Sequence, residues 1–330
     1  MIPRPVRSGI LPFEYVDGFL RALKSSPRIQ FRTHADLPFD PDFRVRSEAD
    51  MKEFYRKELD TWRNQRAESG DIEVFLLHDC DSGPRETVYL CNHETELGVV
   101  STTSLFVEVP DPKGGTIPYD IDYQHLVALQ QHGQCFTYHC NGPQLCGYDD
   151  DRVPGRINAD VEALVAMGFD IRFFSPHGAR ASPEGKSNTT YFYPQLFRRP
   201  LVWTHNRFAP SGHRYSDGGL VGRLKRGDPT TDLRAYMLNL ASLPSPAATQ
   251  SSWRTWLKSV GGTAATKLNS TRRVFILLHP QYYFAETLKP DVMASDQTVG
   301  WLREYWHLHE RGRADEYWAP LVEALHQPAG

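Results

Sequence analysis

Five side chains that can bind a metal ion or transfer a proton follow stretches that the sequence pattern predicts to be β-strands. They are Asp79 and Asp81 after one stretch and, after three others, His139, His177 and His279. A carboxylate and two imidazoles make a three-ligand set for a catalytic divalent metal and leave a position for water. A second carboxylate could take a proton from that water, and a further histidine could protonate a leaving group.

Each of these residues also has a structural interpretation when it is taken alone. Asp79 and Asp81 precede the turn-forming residues 82–84 and could cap a turn or a helix N-terminus. A single histidine such as His139 is more often a hydrogen-bonded core residue than a ligand. The shared position at strand ends favours the joint interpretation, because the carboxyl ends of parallel strands meet at one mouth of a barrel, where active sites form.

The elements that would carry these side chains alternate from residue 71 onwards. Strands are predicted over 72–77, 99–107, 134–139, 169–174 and 274–278, with weaker candidates at 201–205 and 219–223. Helices are predicted over 85–97, 121–131 and 159–167. This alternation is typical of parallel strands joined by helical crossovers, which makes the expected fold class α/β.

Helical segments flank the predicted sheet at both ends. Residues 1–70 are predicted to be an N-terminal extension with helices over 13–23 and 48–66, packed on a barrel of residues 71–290. Another helix is predicted near 253–260, and two more within 296–326 make residues 291–330 a C-terminal helical tail. The three parts are expected to form one compact domain.

Composition excludes several classes of protein. The chain has 330 residues, of which 40% are hydrophobic and 23% charged, as in ordinary globular proteins. With 37 Lys and Arg against 40 Asp and Glu, and no basic stripe with interleaved aromatics, no nucleic-acid partner is expected. No apolar run suits a signal peptide or a membrane span, so a cytoplasmic protein is expected. The five cysteines include no Cys-x-x-Cys pair; we expect them reduced and packed as apolar residues, with Cys140 or Cys146 as a thiol ligand the alternative.

The segments around these residues resemble, in order, the motifs of the polysaccharide deacetylase (NodB-homology, carbohydrate esterase family four-like) superfamily. Residues 75–82, with the sequence FLLHDCDS, are closest to its His-Asp-Val-Asp-Ser branch. Residues 133–141 are similar to the strand that ends in a metal histidine, 175–178 to the Pro-His-Gly segment, 215–217 to the later Ser-Asp element, and 277–280 to the Leu-x-His motif. The resemblance covers roughly residues 72–285, and the ordered set is more specific than any one motif.

This resemblance implies a distorted (β/α)7-type barrel that removes N- or O-acetyl groups from sugars. By matching position, Asp79 would be the base that activates the attacking water. His279 would be the general acid that protonates the leaving amine, and Asp217 would orient or tune it. The sequence therefore predicts a hydrolase that acts on carbon–nitrogen bonds other than peptide bonds.

The resemblance also implies a divalent metal, with Zn²⁺ expected. Asp81 and His139 would be two ligands, and His177 is predicted as the third. Two departures bear on this set. Cys80 separates aspartates that are adjacent in better-known members; on a strand both side chains still share one face, but the base and ligand roles could be exchanged. The second family histidine, four residues after the first, is replaced by Pro143, so the triad is complete only if His177 takes its place.

The expected substrate is an acetylated sugar, either nucleotide- or lipid-linked or a small glycoside. Tyr138 and Tyr282 could stack on sugar rings, although core packing would explain aromatic residues equally well. Asn141 is a further predicted contact. Arg180 and Arg223 could meet a phosphate, although solvated surface charge is the simpler explanation for each.

Two other functions remain open from the sequence. The barrel could be a non-catalytic carbohydrate-binding or biosynthesis-associated protein with a degenerate site, because the second motif histidine is missing. Alternatively, it could hydrolyse an amide that is not a sugar. Bound metal and loss of turnover on chelation would distinguish the enzymes from the binding protein.

Overall fold

The computed structural model describes residues 2–5, 7–37, 45, 47, 49–57, 72–178, 181–182, 184–191, 193–204, 213–242, 273–288 and 300–327. These residues form a mixed α/β structure with a curled parallel sheet and helices outside it. The predicted distorted (β/α) barrel with helical extensions is thereby confirmed. The helix predicted near 253–260 lies outside the described residues. Among the described residues, every helix is too short or too polar to cross a lipid bilayer.

The described residues contain twelve strands and ten helices. The strands are β1 (Arg7–Gly9), β2 (Ile29–Arg32), β3 (Ile72–Asp79), β4 (Thr102–Leu105), β5 (Glu108–Pro110), β6 (Thr116–Pro118), β7 (Cys135–Cys140), β8 (Phe173–Pro176), β9 (Val202–Trp203), β10 (His213–Ser216), β11 (Arg273–Leu278) and β12 (Ala285–Leu288). The helices are α1 (Phe13–Lys24), α2 (helical over 49–57), α3 (Pro84–Leu97), α4 (Tyr123–Gln130), α5 (Gly142–Leu145), α6 (Val153–Ala166), α7 (Leu220–Lys225), α8 (Leu233–Ala241), α9 (Gly300–Glu310) and α10 (Ala314–His326).

The main sheet is parallel and runs in the order β10-β11-β3-β4-β7-β8-β9. One edge of β3 is shared by two strands, because β2 pairs with Ile72–Phe75 and β4 pairs with Leu77–Asp79. β5 and β6 form a separate antiparallel hairpin, and β1 pairs with β12 outside the main sheet. Because all strands of the main sheet run the same way, their carboxyl ends lie at one mouth.

Side chains alternate along β3 between the inside of the barrel and its outer face. Phe75 points inwards, where its ring stacks on Phe275 of β11 with centroids 4.8 Å apart. Val74 and Leu76 point outwards and join the apolar core that also contains α1 and the C-terminal helices. The same alternation continues to the end of the strand and directs Asp79 towards the interior.

The N-terminal helix and the C-terminal tail pack together on the outer face of β3 and β11. Their contact is closest at Gly18 of α1, which is buried and faces the indole of Trp318 in α10. A Cβ atom at Gly18 would lie only 2.5 Å from Cδ1 of Trp318, so the absence of a side chain sets the distance between the two helices. The predicted helical extension and tail therefore contribute to the core rather than lying on its surface.

Several predicted elements differ from the structure. The weak strand predicted over 219–223 is wrong: these residues belong to the turn and to α7, in which Leu220 and Leu224 are buried four residues apart, as on a helix face. The strand of this region, β10, comes earlier in the chain. The strand predicted over 99–107 is limited to β4, and the helix predicted over 159–167 begins earlier, as α6, because Pro154 suits its first turn. The β5–β6 hairpin and α8 were not expected.

Candidate active site

The predicted chemistry-bearing side chains meet at the carboxyl ends of five strands. Asp79 and Asp81 come from the end of β3, His139 from β7, His177 from just after β8, His279 from just after β11 and Asp217 from just after β10. These residues lie up to 200 positions apart in the chain, between Asp79 and His279. Parallel pairing of the strands brings them together, as the strand-end pattern of the sequence indicated.

Three of these residues have the spacing of a metal site. Nε2 of His139 lies 3.3 Å, and Nε2 of His177 3.6 Å, from Oδ1 of Asp81. One ligand atom from each residue lies within 4.8 Å of the other two. In a tetrahedral site with metal–ligand bonds of about 2.0–2.1 Å, neighbouring ligand atoms lie about 3.3 Å apart. The three atoms could therefore bind one divalent ion without rearranging far.

The charges of the cluster suit a metal site as well. Burial acts to raise the pKa of Asp81, but the hydrogen bond and positive charge of His139, with the charges of His279 and His177, lower it to about 2. Burial and the neighbouring charge of His139 lower the pKa of His177 to about 4. Asp81 is therefore ionised and His177 neutral at physiological pH, the states in which both groups can bind a cation.

His139 is the most deeply buried member of the cluster. Its side chain is 1% exposed, whereas those of Asp79, Asp81 and His177 are 16%, 25% and 23% exposed. Burial lowers the pKa of His139, but the charges of Asp79 and Asp81 outweigh this effect, so that the pKa is raised overall. The cluster thus has a closed side at His139 and an open side from which a substrate could approach.

The second part of the site is a carboxylate–histidine pair. Oδ1 of Asp217 lies 2.5 Å from Nδ1 of His279, and Oδ2 accepts hydrogen bonds from the backbone N–H of His279 at 2.8 Å and from the Tyr283 hydroxyl at 2.7 Å. Asp217 is fully buried. These three contacts fix the ring of His279 and direct its Nε2 towards the cluster.

Nε2 of His279 faces both aspartates of the β3 end. It lies 3.6 Å from Oδ2 of Asp81 and 4.0 Å from Oδ2 of Asp79. Burial opposes protonation of His279, but the charges of Asp217, Asp79 and Asp81 and the hydrogen bond to Asp217 raise its pKa to about 10. His279 therefore carries a proton at neutral pH and can act as an acid.

An apolar wall closes one side of the cluster. The ring of Phe106, just after β4, lies 4.7 Å from the His139 ring and 5.1 Å from the His177 ring, centroid to centroid. Phe106 is 2% exposed. Because the ring keeps water from this side, charges in the cluster interact more strongly than they would in solvent.

Cys80, the residue between the two aspartates, is held in place by Tyr119, which follows the β5–β6 hairpin. The backbone oxygen of Cys80 accepts a hydrogen bond of 2.6 Å from the hydroxyl of Tyr119. Cys80 is fully buried, and burial raises the pKa of its thiol. The residue that separates Asp79 from Asp81 is thus a packing residue, and the two carboxylates remain on one face.

The other cysteines also behave as apolar residues. All five are free and buried, as expected from the sequence. Burial raises the pKa of Cys140 to about 12, and the pKa of Cys146 is raised by the same cause. The metal-capable group found among the described residues contains neither of them, so the alternative of a thiol ligand gains no support.

The five predicted substrate contacts have different positions. Tyr282 is half-buried and its ring lies 5.8 Å from that of His279, so it borders the site. Asn141, just after β7, is buried; its amide donates to the backbone oxygen of Glu108, and its Oδ1 has no hydrogen-bond partner among the described residues. Arg180 lies outside the described residues.

Tyr138 and Arg223 make their hydrogen bonds to residues outside the cluster. Tyr138 alternates with His139 on β7, points to the outer face and donates from its buried hydroxyl to Asp160. The guanidinium of Arg223 bonds to the backbone oxygen of Ser216 and to side chains of Asp228 and Thr230. Strand alternation orients Tyr138 away from the cluster, and the contacts of Arg223 fasten its own loop, so neither prediction gains support from the structure.

Pro143 occupies the place of the second motif histidine, in the short helix α5. It is buried and carries no ligand atom. His177 instead lies beside His139, with ring centroids 5.2 Å apart. The geometry thus supplies a third ligand position from β8, as required if the triad is to be complete.

Several residues of the site were not predicted from the sequence. Tyr283 anchors Asp217, Phe106 forms the apolar wall, and Ser175 contacts His139. Ser175 carried a detectable signal, because it lies two residues before His177 and so shares its face of β8. No local pattern marks Tyr283 or Phe106, whose roles depend on packing between distant segments.

Comparison with known proteins does not identify a family for this chain. No protein-family model matches the chain, and no curated protein matches it.

Proposed function

We propose that this protein is a metal-dependent deacetylase that hydrolyses an N-acetyl or O-acetyl group on a sugar or sugar-containing metabolite. The observation that carries the proposal is the position of Asp81, His139 and His177 within 4.8 Å of one another, beside Asp79 and a histidine held by Asp217. A metal-capable triad, a free carboxylate and a protonated imidazole are together the groups that amide hydrolysis needs.

Asp81, His139 and His177 would hold the metal, for which Zn²⁺ is the first candidate because carboxylate and imidazole ligands suit it. The metal would polarise the acetyl carbonyl and acidify a water molecule. Asp81 is favoured over Asp79 as the ligand, because Oδ1 of Asp81 is near Nε2 of both histidines. The carboxylate of Asp79 instead lies 3.9 Å from Nδ1 of His139, on the side away from the ligand nitrogen.

Asp79 and His279 divide the proton transfers. Asp79 takes a proton from the attacking water as its oxygen bonds to the carbonyl carbon. His279 gives the proton on Nε2 to the leaving nitrogen as the carbon–nitrogen bond breaks, which releases acetate and an amine. Asp217 keeps the second ring nitrogen of His279 protonated and so restricts proton donation to Nε2.

The sugar part of the proposal depends on the ordered motifs that resemble the polysaccharide deacetylase superfamily. Tyr282 supports it, because a half-buried ring next to His279 could stack on a pyranose ring. The proposed substrates are nucleotide- or lipid-linked acetylated sugars and small glycosides. The cytoplasm remains the expected location.

Metal content and acetate release test this proposal together. Purified protein should contain about one equivalent of divalent metal, release acetate from one or more members of a panel of acetylated sugars, and lose turnover with a chelator. His177→Ala should lose the metal, whereas the matched control His307→Ala, on the exposed face of α9, should keep it. If the protein hydrolysed only small amides, the proposal of a sugar substrate would be wrong. If it contained no metal and bound glycans without releasing acetate, the proposal of a deacetylase would be wrong.

A further inference from the structure

Behind His139, three hydroxyl groups form a row across the inside of the barrel. Oγ of Ser175 on β8 lies 2.8 Å from Nδ1 of His139 and donates to Oγ of Ser104 on β4 at 2.9 Å. Oγ1 of Thr137 on β7 donates to the same Ser104 oxygen at 3.1 Å. Strand pairing explains the row, because Ser104 is the register partner of Thr137 and His139 that of Ser175.

The two contacts of Nδ1 with Ser175 indicate that this nitrogen of His139 carries a proton. The backbone oxygen of Ser175 also lies 3.2 Å from Nδ1, and a carbonyl can only accept a hydrogen bond. Nδ1 must therefore be the protonated nitrogen, and the Ser175 hydroxyl accepts from it while donating to Ser104. Nε2 faces the Asp81 carboxylate and is then the nitrogen that can bind a metal, which would take the place of any proton on Nε2 in the metal-free protein.

The second imidazole of the cluster has no such support. Nδ1 of His177 is buried and has no hydrogen-bond partner among the described residues, so its ring is set only by packing against Phe106 and His139. The two histidines thus differ in how firmly they are held. His139 is fixed at both nitrogens, and His177 at neither beyond its contact with Asp81.

We propose that Ser175 is a positioning residue that, backed by Ser104 and Thr137, fixes the Nδ1–H tautomer of His139 and so presents Nε2 to a metal. This assignment rests on the metal centre of the proposed function. Histidine ligands commonly donate their second N–H to an oxygen, and loss of that partner typically weakens metal affinity about 10- to 100-fold. Here the partner is a serine hydroxyl whose own orientation is fixed by a second serine.

Zn²⁺ affinity of the full chain tests the assignment. Ser175→Ala should weaken Zn²⁺ binding about 10- to 100-fold in a competition titration, and Ser175→Thr, which keeps the hydroxyl, should recover most of it. Ser101→Ala is the control: Ser101 is a buried serine that bonds to Glu94 and Gln134, and neither contacts the cluster. Its affinity should equal that of the unchanged protein even if its stability falls.

A second measurement keeps the inference testable if the protein binds no Zn²⁺. Long-range ¹H–¹⁵N spectra of the metal-free protein, recorded at a pH where His139 is neutral, should show the proton on Nδ1. Ser175→Ala keeps the backbone oxygen but removes the hydroxyl, and should shift the tautomer ratio of His139 towards Nε2–H. An unchanged tautomer ratio together with unchanged Zn²⁺ affinity in Ser175→Ala would overturn the role of Ser175. If the unchanged protein binds no Zn²⁺, the proposed metal centre is contradicted, and the spectra alone decide whether Ser175 sets the tautomer.

Discussion

Asp217 holds His279 at two points, with one carboxylate oxygen 2.5 Å from the ring Nδ1 and the other 2.8 Å from the backbone nitrogen of the same residue. The residues are 62 positions apart in the sequence and directly follow two adjacent parallel strands, β10 and β11. A side chain that contacts both the backbone and the ring of its partner fixes position and orientation together. The proton on His279 is therefore directed at the cluster before any substrate arrives.

Loss of this carboxylate should reduce turnover but not metal binding. In Asp217→Asn, the amide keeps the size of the side chain but removes the charge that stabilises protonated His279. General acid catalysis contributes about 10²–10⁴-fold, so kcat/KM for acetate release should fall within that range. Tyr283→Phe, which removes one of the three hydrogen bonds to Asp217, should cause a smaller loss. A metal content below that of the unchanged protein in either variant would contradict separate roles for the pair and the triad.

The two aspartates of the β3 end should have separable roles. Asp81→Asn should lose most of the bound metal, because Oδ1 of Asp81 is the atom shared by both histidines. Asp79→Asn should keep the metal and lose activity by about 10²-fold or more, because the base is gone. Metal analysis and acetate release on the same samples measure both effects. The reverse result, with metal lost only in Asp79→Asn, would exchange the assigned roles.

A buried histidine near the amino ends of β4 and β8 should make the fold sensitive to acid. His34 lies among the rings of Phe75, Phe173 and Phe275, and its Nδ1 contacts the hydroxyl of Thr102. Burial, and to a lesser degree the charge of Arg273, lower its pKa to about 3. In the unfolded chain the pKa is about 6.5, so the unfolded state binds the proton first as the pH falls.

Stability should therefore decline from about pH 6.5 towards pH 3, by up to about 4 kcal/mol for this one group, at 1.36 kcal/mol per pKa unit. Urea unfolding at several pH values measures the decline. His34→Gln, which cannot titrate, should flatten it, whereas His307→Gln on the surface should leave it unchanged. An identical pH dependence in His34→Gln would show that other groups cause the acid sensitivity.

The contact between α1 and α10 should tolerate no added methyl group. Gly18→Ala would set a Cβ 2.5 Å from Trp318, and relief of that overlap should lower the free energy of unfolding by about 1–3 kcal/mol. Gly155→Ala in α6 is the matched control, because a Cβ there meets nothing within 4 Å. That change should be neutral or stabilise the helix by about 0.5–1 kcal/mol. Equal unfolding free energies for the two variants would exclude the proposed close packing.

Sequence periodicity was enough to predict the meeting of the strand-end residues. Asp79, His139 and His279 each follow an apolar run of strand length, and parallel strands of similar length end together. Tyr138 was predicted to contact the substrate, but it neighbours His139 on β7, and the alternation of a strand makes it face the opposite way. The strand predicted over 219–223 was wrong for another reason: a short apolar segment does not distinguish a strand from a helix, and this segment is helical.

Support of the site by distant packing could not be predicted in this way. Tyr283 reaches Asp217 from the loop after β11, and its ring lies parallel to that of Tyr15 in α1, with centroids 6.2 Å apart. Such contacts depend on how the helices lie against the sheet, which local sequence patterns do not encode. The domain boundaries at residues 70 and 290 stay predictions.

The alternation of side chains along β3 also limits which mutations this strand can accept during evolution. A single inserted or deleted residue inside β3 would shift its register, so that the position of Asp79 would be taken by a neighbour and the apolar residues would face the wrong side. Single substitutions change one side chain of β3 at a time. An insertion or deletion would displace Asp79 from the site and the apolar residues from the core together. The exposed tip of the β5–β6 hairpin has no such constraint, so insertions should be tolerated there.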